Sequence, residues 1–109
     1  MSELHDLSAL EQAAAVRSGE TSSKELVDHY TARIERLDGE IGAFVTLTLD
    51  QAREQAGAAD NAVAAGDELP PLHGVPIGIK DLNMTEGVPT KLGSRAFDDF
   101  VPPFSDFTV

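Results

Sequence analysis

The sequence contains no cysteine, which removes both a disulfide framework and a thiolate metal site and fits a reducing cytoplasm. It is also poor in basic residues, with eight against nineteen acids, so the formal net charge is −11. A field of that sign repels a phosphate backbone or an anionic membrane surface, which argues against nucleic acid as a partner. The acids are scattered and never form a long block, as on a solvated face, and they identify no substrate. No apolar run approaches the roughly 18 residues that a membrane span needs, and "MSELHDLSALEQ" has acids where an export signal needs bases. The expectation is a cytoplasmic protein without a membrane partner. Internal repeats and low-complexity segments are absent, and 109 residues are one small domain at most.

What is present begins with helical scaffold. Leu7, Leu10, Ala13, Ala14 and Arg17 recur at helical spacing, with Ser8 as N-cap and Gly19 as stop, predicting a helix over roughly 8 to 18. Ser22 followed by Glu25 is a capping box, and Leu26, Val27, Tyr30, Ile34 and Leu37 line one face of a second helix that ends near Leu37. After a "DGEIG" turn, "AFVTLTL" alternates Phe44, Thr46 and Thr48 with Val45, Leu47 and Leu49, the period of a strand or extended segment. Ala52, Ala56, Ala59 and Val63 mark a third helix with Asp50 as its cap and Gly66 as its stop. The small residues on that stripe imply close packing.

The helices carry no chemistry of their own. His29 has Ala32 and Arg33 at the positions where a second helical metal ligand belongs, so it reads as an exposed histidine. His5 and Asp6 sit in a frayed terminus on the same reading, and no metal site is expected.

All six prolines and a cluster of glycines fall from Pro70 to Pro103, where helix gives way to strand and ordered loop. "PLHGVPIGIKDL", Pro71 to Leu82, is not a phosphate loop. Its glycine spacing is short, Ile79 separates Gly78 from Lys80, Pro76 lacks an amide hydrogen, and Asp81 stands where a metal-binding hydroxyl belongs. Val75, Ile77 and Ile79 alternate with Pro76, Gly78 and Lys80, which predicts a strand with small residues on one face and Lys80 near its end. Two readings of Lys80 stand open, and the residues alone favour the first: a strand-end lysine paired with a carboxylate. The second is a lysine carried into a buried site, where desolvation lowers an amine pKa from about 10.4 and makes it a general base.

"PLHGVPIGIKDLNMTEGVPTKLGS", Pro71 to Ser94, closely resembles the segment that carries the catalytic lysine of the amidase signature family, serine hydrolases of carboxamides. The resemblance extends over nearly the whole chain, through the N-terminal helices, "AFVTLT", the alanine-rich helix and "FVPPFSDFTV". It implies an α/β fold with a mixed sheet flanked by helices, of which residues 1–69 would be the helical flank and 70–109 the lysine strand and following loop. It also implies a triad of nucleophilic serine, a second serine in a cis peptide, and a lysine base, for which Lys80 is the match. The substrate would be a small amide, the substrate-binding residues stay unassigned, and no cofactor is needed.

Nothing in this sequence resembles the glycine- and serine-rich loop that holds both family serines. Ser94 and Ser105 are the only serines after Lys80. The chain is therefore expected to be an N-terminal fragment of one amidase domain, inactive alone, with Ser94 supporting a loop. Phe97, Phe100, Phe104 and Phe107 and an open strand edge would favour a homo-oligomer. Two alternatives remain: the glutamine-hydrolysing subunit of a tRNA-dependent amidotransferase, less favoured because "LNMTEGVPTKLGS" departs from the "N-I" and "T-K-G" expected there, and a small non-catalytic acidic binding module.

Overall fold

The structure is a computed structural model and describes residues 2–109. It contains three α-helices, α1 (Ala9–Ser18), α2 (Ser23–Ile41) and α3 (Leu49–Ala64), with single 3-10 turns at Leu4–Asp6 and Arg95–Phe97. The chain divides into two compact units. The first comprises Met1–Gly42 with Leu49–Pro76 and holds all three helices; the second comprises Ala43–Thr48 with Ile77–Val109.

Local sequence explains each helix start. Ser8 Oγ accepts the Glu11 N–H at 3.2 Å while Glu11 Oε2 accepts the Ser8 N–H at 2.7 Å, so two amides that have no partner inside α1 are satisfied reciprocally. These bonds to Ser8 hold the Glu11 carboxyl below its ordinary range. Ser22 and Glu25 repeat the motif at the head of α2, where Thr21 adds a third bond to Glu25 Oε2 at 2.8 Å. Gly19 ends α1 in the left-handed conformation that glycine adopts without a Cβ penalty.

The core of the first unit is small and tight. Val16 and Leu26 are fully buried, with Ala13, Ala15, Val27 and Ala56 around them. Helix α2 packs chiefly on α3, and the small residues of α3 permit the approach: a Cβ on Gly57 would lie 3.5 Å from Lys24 Cε. Gln12 is buried but satisfied, its amide donating to Leu4 O at 2.9 Å and to the Tyr30 hydroxyl at 2.7 Å. The N-terminal turn is thereby tied to the helices.

Three sequence expectations are corrected. The "DGEIG" turn is helical: α2 runs through Gly39 and ends at Gly42, whose N–H bonds to Asp38 O at 2.7 Å. A glycine inside a helix costs about 1 kcal/mol, which two further helical residues and a left-handed cap offset. Helix α3 begins at Leu49, so Asp50 lies in its first turn, where a carboxylate complements the helix dipole, and is not its cap.

The largest correction is to the fold class. An α/β fold with first strands was expected, yet no strand occurs among the described residues. "AFVTLTL" is an irregular bend with Phe44, Val45 and Leu47 about half exposed, and Leu49 already belongs to α3. Val75 to Ile79 has no ladder partner. Pro76 has no N–H to give, and Ile77 and Ile79 are exposed. Alternation is a signal that one face gets buried; it makes a strand only when another segment supplies the hydrogen bonds.

Candidate active-site segment

The segment that leads to Lys80 is anchored to the helices over Pro70 to Pro76. His73 N–H bonds to Pro70 O at 3.1 Å and Val75 N–H to Leu72 O at 3.2 Å, forming a tight turn. Gly74 sits in it at φ +82°, and a Cβ there would come within 2.9 Å of Val16 Cγ1 and 3.4 Å of Ser23 Cβ. The close approach is used. Buried Ser23 donates its hydroxyl to Gly74 O at 2.7 Å, while Asp60 of α3 accepts the Ser23 and Lys24 amides at 2.7 and 3.1 Å. His73 Nε2 donates to Ala59 O at 2.9 Å. All three helices therefore hold this turn in place.

Lys80 and Asp81 lie in the second unit. Lys80 is exposed, and among the described residues no group bonds its amine, so it is not paired with a carboxylate here. Its carbonyl accepts the Asn83 N–H at 2.9 Å, turning the chain directly after the lysine. The neighbouring Asp81 is directed elsewhere. Its carboxylate accepts the Lys91 N–H at 3.0 Å and its carbonyl the Leu92 N–H at 3.1 Å. Leu92, at φ +54°, and Gly93, at φ +71°, are both left-handed. For leucine that conformation costs about 1–2 kcal/mol, and the two Asp81 bonds hold the turn where it occurs.

Residues beyond this turn run antiparallel to the C-terminal segment without forming a regular ladder. Gly87 N–H bonds to Pro102 O at 3.1 Å, Thr90 N–H to Phe100 O at 3.0 Å, and Asp106 N–H to Met84 O at 2.9 Å. Thr90 and Pro102 are the buried centre of the unit. Asp106 Oδ2 also accepts the Met84 N–H at 2.7 Å.

Both downstream serines are occupied structurally. Ser94 Oγ accepts the Ala96 N–H at 3.2 Å and caps the turn Arg95–Phe97, and Ser105 Oγ accepts the Glu86 N–H at 3.0 Å. The segment thus presents the Lys80 amine at a turn. A primary amine takes part in proton transfer or nucleophilic attack when neutral, and it needs a nucleophile or a substrate carbonyl beside it. Sequence reasoning missed the residues that position this segment, Ser23, Asp60 and the Asp81 clamp. Only Asp81 had a visible signal, its adjacency to Lys80.

The structure also brings together two residues that the sequence placed apart. His29 is half-buried, not exposed, and its Nε2 lies 2.8 Å from His5 Nδ1, the rings stacked at 5.0 Å. The 24 residues between them leave no local pattern to read. No helix among the described residues is long and apolar enough to cross a membrane.

Comparison with known proteins assigns the segment to a family. The amidase family model matches residues 25–109, which include the whole Lys80 turn. The chain is 49% identical over 89 residues to a glutamyl-tRNA(Gln) amidotransferase subunit from Synechococcus sp. (strain CC9311), covering 82% of this chain and 18% of that protein. It is 47% identical over 106 residues to the subunit of the same name from Thioalkalivibrio sulfidiphilus (strain HL-EbGR7), covering 97% and 22%. Among solved structures, a bacterial aryl acylamidase of the amidase signature enzymes superposes with a TM-score of 0.81 at 35% identity, over 85% of this chain and 19% of that one. A structure from a vestigial protein complex that bears on the origins of an s-triazine catabolic enzyme gives 0.86 at 34% identity, over 91% and 22%. The chain spans about a fifth of the length of the relatives it matches. On these matches, the chain belongs to the amidase family.

Proposed function

We propose that these residues form the N-terminal, lysine-bearing part of a single amidase domain that hydrolyses a carboxamide to a carboxylate and ammonia or an amine, with Lys80 as general base. The observation that carries the reading is the family match over residues 25–109, which includes the Lys80 turn. In the proposed step the neutral Lys80 amine takes the proton of a serine hydroxyl, directly or through a second serine. The serine oxygen bonds to the amide carbon, the C–N bond breaks as the proton passes to the leaving nitrogen, and water then cleaves the acyl-serine. Ser94 and Ser105 are not assigned as that nucleophile, because Ser94 Oγ caps its own turn and Ser105 Oγ accepts the Glu86 N–H, roles that support the loop. The nucleophile is assigned to chain outside these 109 residues, and the 109 residues alone are expected to hydrolyse nothing. The reading includes a cytoplasmic location, supported by the cysteine-free composition.

A second reading is that the amide is glutamine and that the protein works within a tRNA-dependent amidotransferase. It is favoured by one observation. The two curated relatives, at 49% and 47% identity, carry that name, whereas the two solved structures stand at 34–35%. The test is turnover by the full-length protein, alone and with its candidate partner subunits, on simple amides and on glutamine. Lys80→Ala should lower turnover by about 10²–10⁴-fold, the range for losing a general base. Lys80→Arg should not restore it, because a guanidinium stays protonated. Near-wild-type turnover by either variant removes Lys80 as base, and the choice of amide separates the two readings.

A further inference from the structure

We propose that Glu3, His5 and His29 form a binding site for one divalent transition-metal ion of the zinc class, which fastens the N-terminal turn to helix α2. The proposal is independent of the amidase reading and rests on the first unit alone. One ligand atom from each of the three residues lies within 4.8 Å of the others. His5 Nδ1 is 2.8 Å from His29 Nε2 and 3.3 Å from Glu3 Oε2. Two nitrogens bound tetrahedrally at about 2.0–2.1 Å from zinc stand about 3.3 Å apart, so the histidine pair has to open by only about half an ångström. The Glu3–His5 distance already fits.

The donor set selects the ion. Two imidazoles and one carboxylate, without sulfur, suit zinc, nickel or copper(II), whereas magnesium and calcium prefer a shell of oxygens. Both histidines are half-buried, and Glu3 and His29 line a cleft of about 610 Å³ that gives an ion a way in. Three protein ligands leave a fourth position for water.

The surroundings set the order in which groups move. Arg33 Nη1 lies 3.0 Å from His5 Nε2, and a guanidinium only donates, so Nε2 is the acceptor and Nδ1 carries the proton that His29 Nε2 accepts. Metal ligation requires the free lone pair of an imidazole nitrogen. Metal at His5 Nδ1 shifts the proton to Nε2, which now opposes Arg33 and turns to Asp6 Oδ1, 3.7 Å away. That places Asp6 as the carboxylate behind a ligating histidine, and Arg33 as a competitor that has to swing aside.

The test is zinc titration of the untagged full-length protein against a chromophoric chelator, with histidine-ring NMR as an independent readout. Wild type should take up one zinc ion that is lost in His5→Ala and in His29→Ala, and the ring signals of His5 and His29, but not of His73, should move. Asp6→Asn should weaken binding by about tenfold or more, as loss of a carboxylate behind a ligand does. Arg33→Met should tighten it, a result that a purely structural histidine pair does not produce. Glu3 is exposed, so Glu3→Gln should leave the fold intact and still weaken binding, which keeps the test valid if a histidine variant unfolds. Zinc uptake by His5→Ala/His29→Ala equal to wild type, or no uptake by folded wild type, overturns the proposal.

Discussion

Replacing Gly74 with alanine tests whether the 70–76 turn is positioned by contact with the helices. Two costs act at this residue. The left-handed φ of +82° costs a residue with a Cβ about 1–2 kcal/mol. The new methyl would also lie 2.9 Å from Val16 Cγ1, which is fully buried and cannot rotate away freely, and forced overpacking typically costs about 1–3 kcal/mol more. The sum is about 2–5 kcal/mol. Gly66→Ala is the internal reference, because Gly66 has a similar φ of +73° and open space around it, so only the conformational cost applies. Hydrogen exchange of α1, α2 and the 70–76 turn in the full-length protein measures both, as loss of local opening free energy. Val16→Ala should relieve the contact, so that the double variant with Gly74→Ala is less destabilised than the sum of the singles. Equal losses in Gly74→Ala and Gly66→Ala, with additive behaviour in the double variant, would refute the packing argument.

Further outcomes follow from the two loops and the first cap. Asp81→Ala removes the acceptor of the Lys91 N–H and should destabilise the turn at Leu92 by about 1–3 kcal/mol, with faster exchange at Lys91, whereas Asp81→Asn should retain most of the bond. Glu11 has a folded-state pKa below its unfolded one, so its contribution is complete at neutral pH and is lost as pH falls through the carboxylate range to the lowered value. The difference in melting temperature between wild type and Glu11→Gln should accordingly be constant above about pH 5 and shrink below about pH 4. A difference that grows on acidification would contradict the capping-box assignment.

How much of this was legible in the sequence depends on the range of each interaction. Helix starts are set within four residues, so Ser8 with Glu11 and Ser22 with Glu25 could be read directly, and both capping boxes are present. The strands were misread for the converse reason. "AFVTLTL" and "GVPIGIK" have the alternation of a strand, but pairing is a property of two segments, and neither one enters a strand ladder among the described residues. The "DGEIG" end was placed too early because glycine at 39 and at 42 look alike in sequence. Only Gly42 adopts the left-handed φ, +64°, that stops a helix. The His5–His29 pair and the Ser23–Gly74 bond link residues 24 and 51 apart, and no spacing rule reaches that far.

The same distinction bears on Lys80. Its chemistry was suggested by a local run of residues, yet what fixes its surroundings is distant in sequence: the helices grip the chain at Gly74, and Asp81 grips the loop at Lys91 and Leu92. Between these anchors Ile77, Gly78 and Ile79 make no backbone hydrogen bond among the described residues, and Ile77 is 81% exposed. A lysine acts as a base at neutral pH where burial or a neighbouring positive charge disfavours its own charge, and that requirement is separate from having its position fixed. These 109 residues fix the chain on either side of Lys80, at the Gly74 turn and at the Asp81 loop. Under the proposed mechanism, desolvation of the amine has to come from further protein packed over Ile77 to Lys80. Covering Ile77 would then do two things at once, removing apolar surface from water and lowering the polarity around Lys80. If the full-length protein turns over an amide as proposed, substitutions at Ile77 should therefore move the pH profile of that turnover, whereas substitutions at Gly74 should lower its magnitude and leave the profile in place.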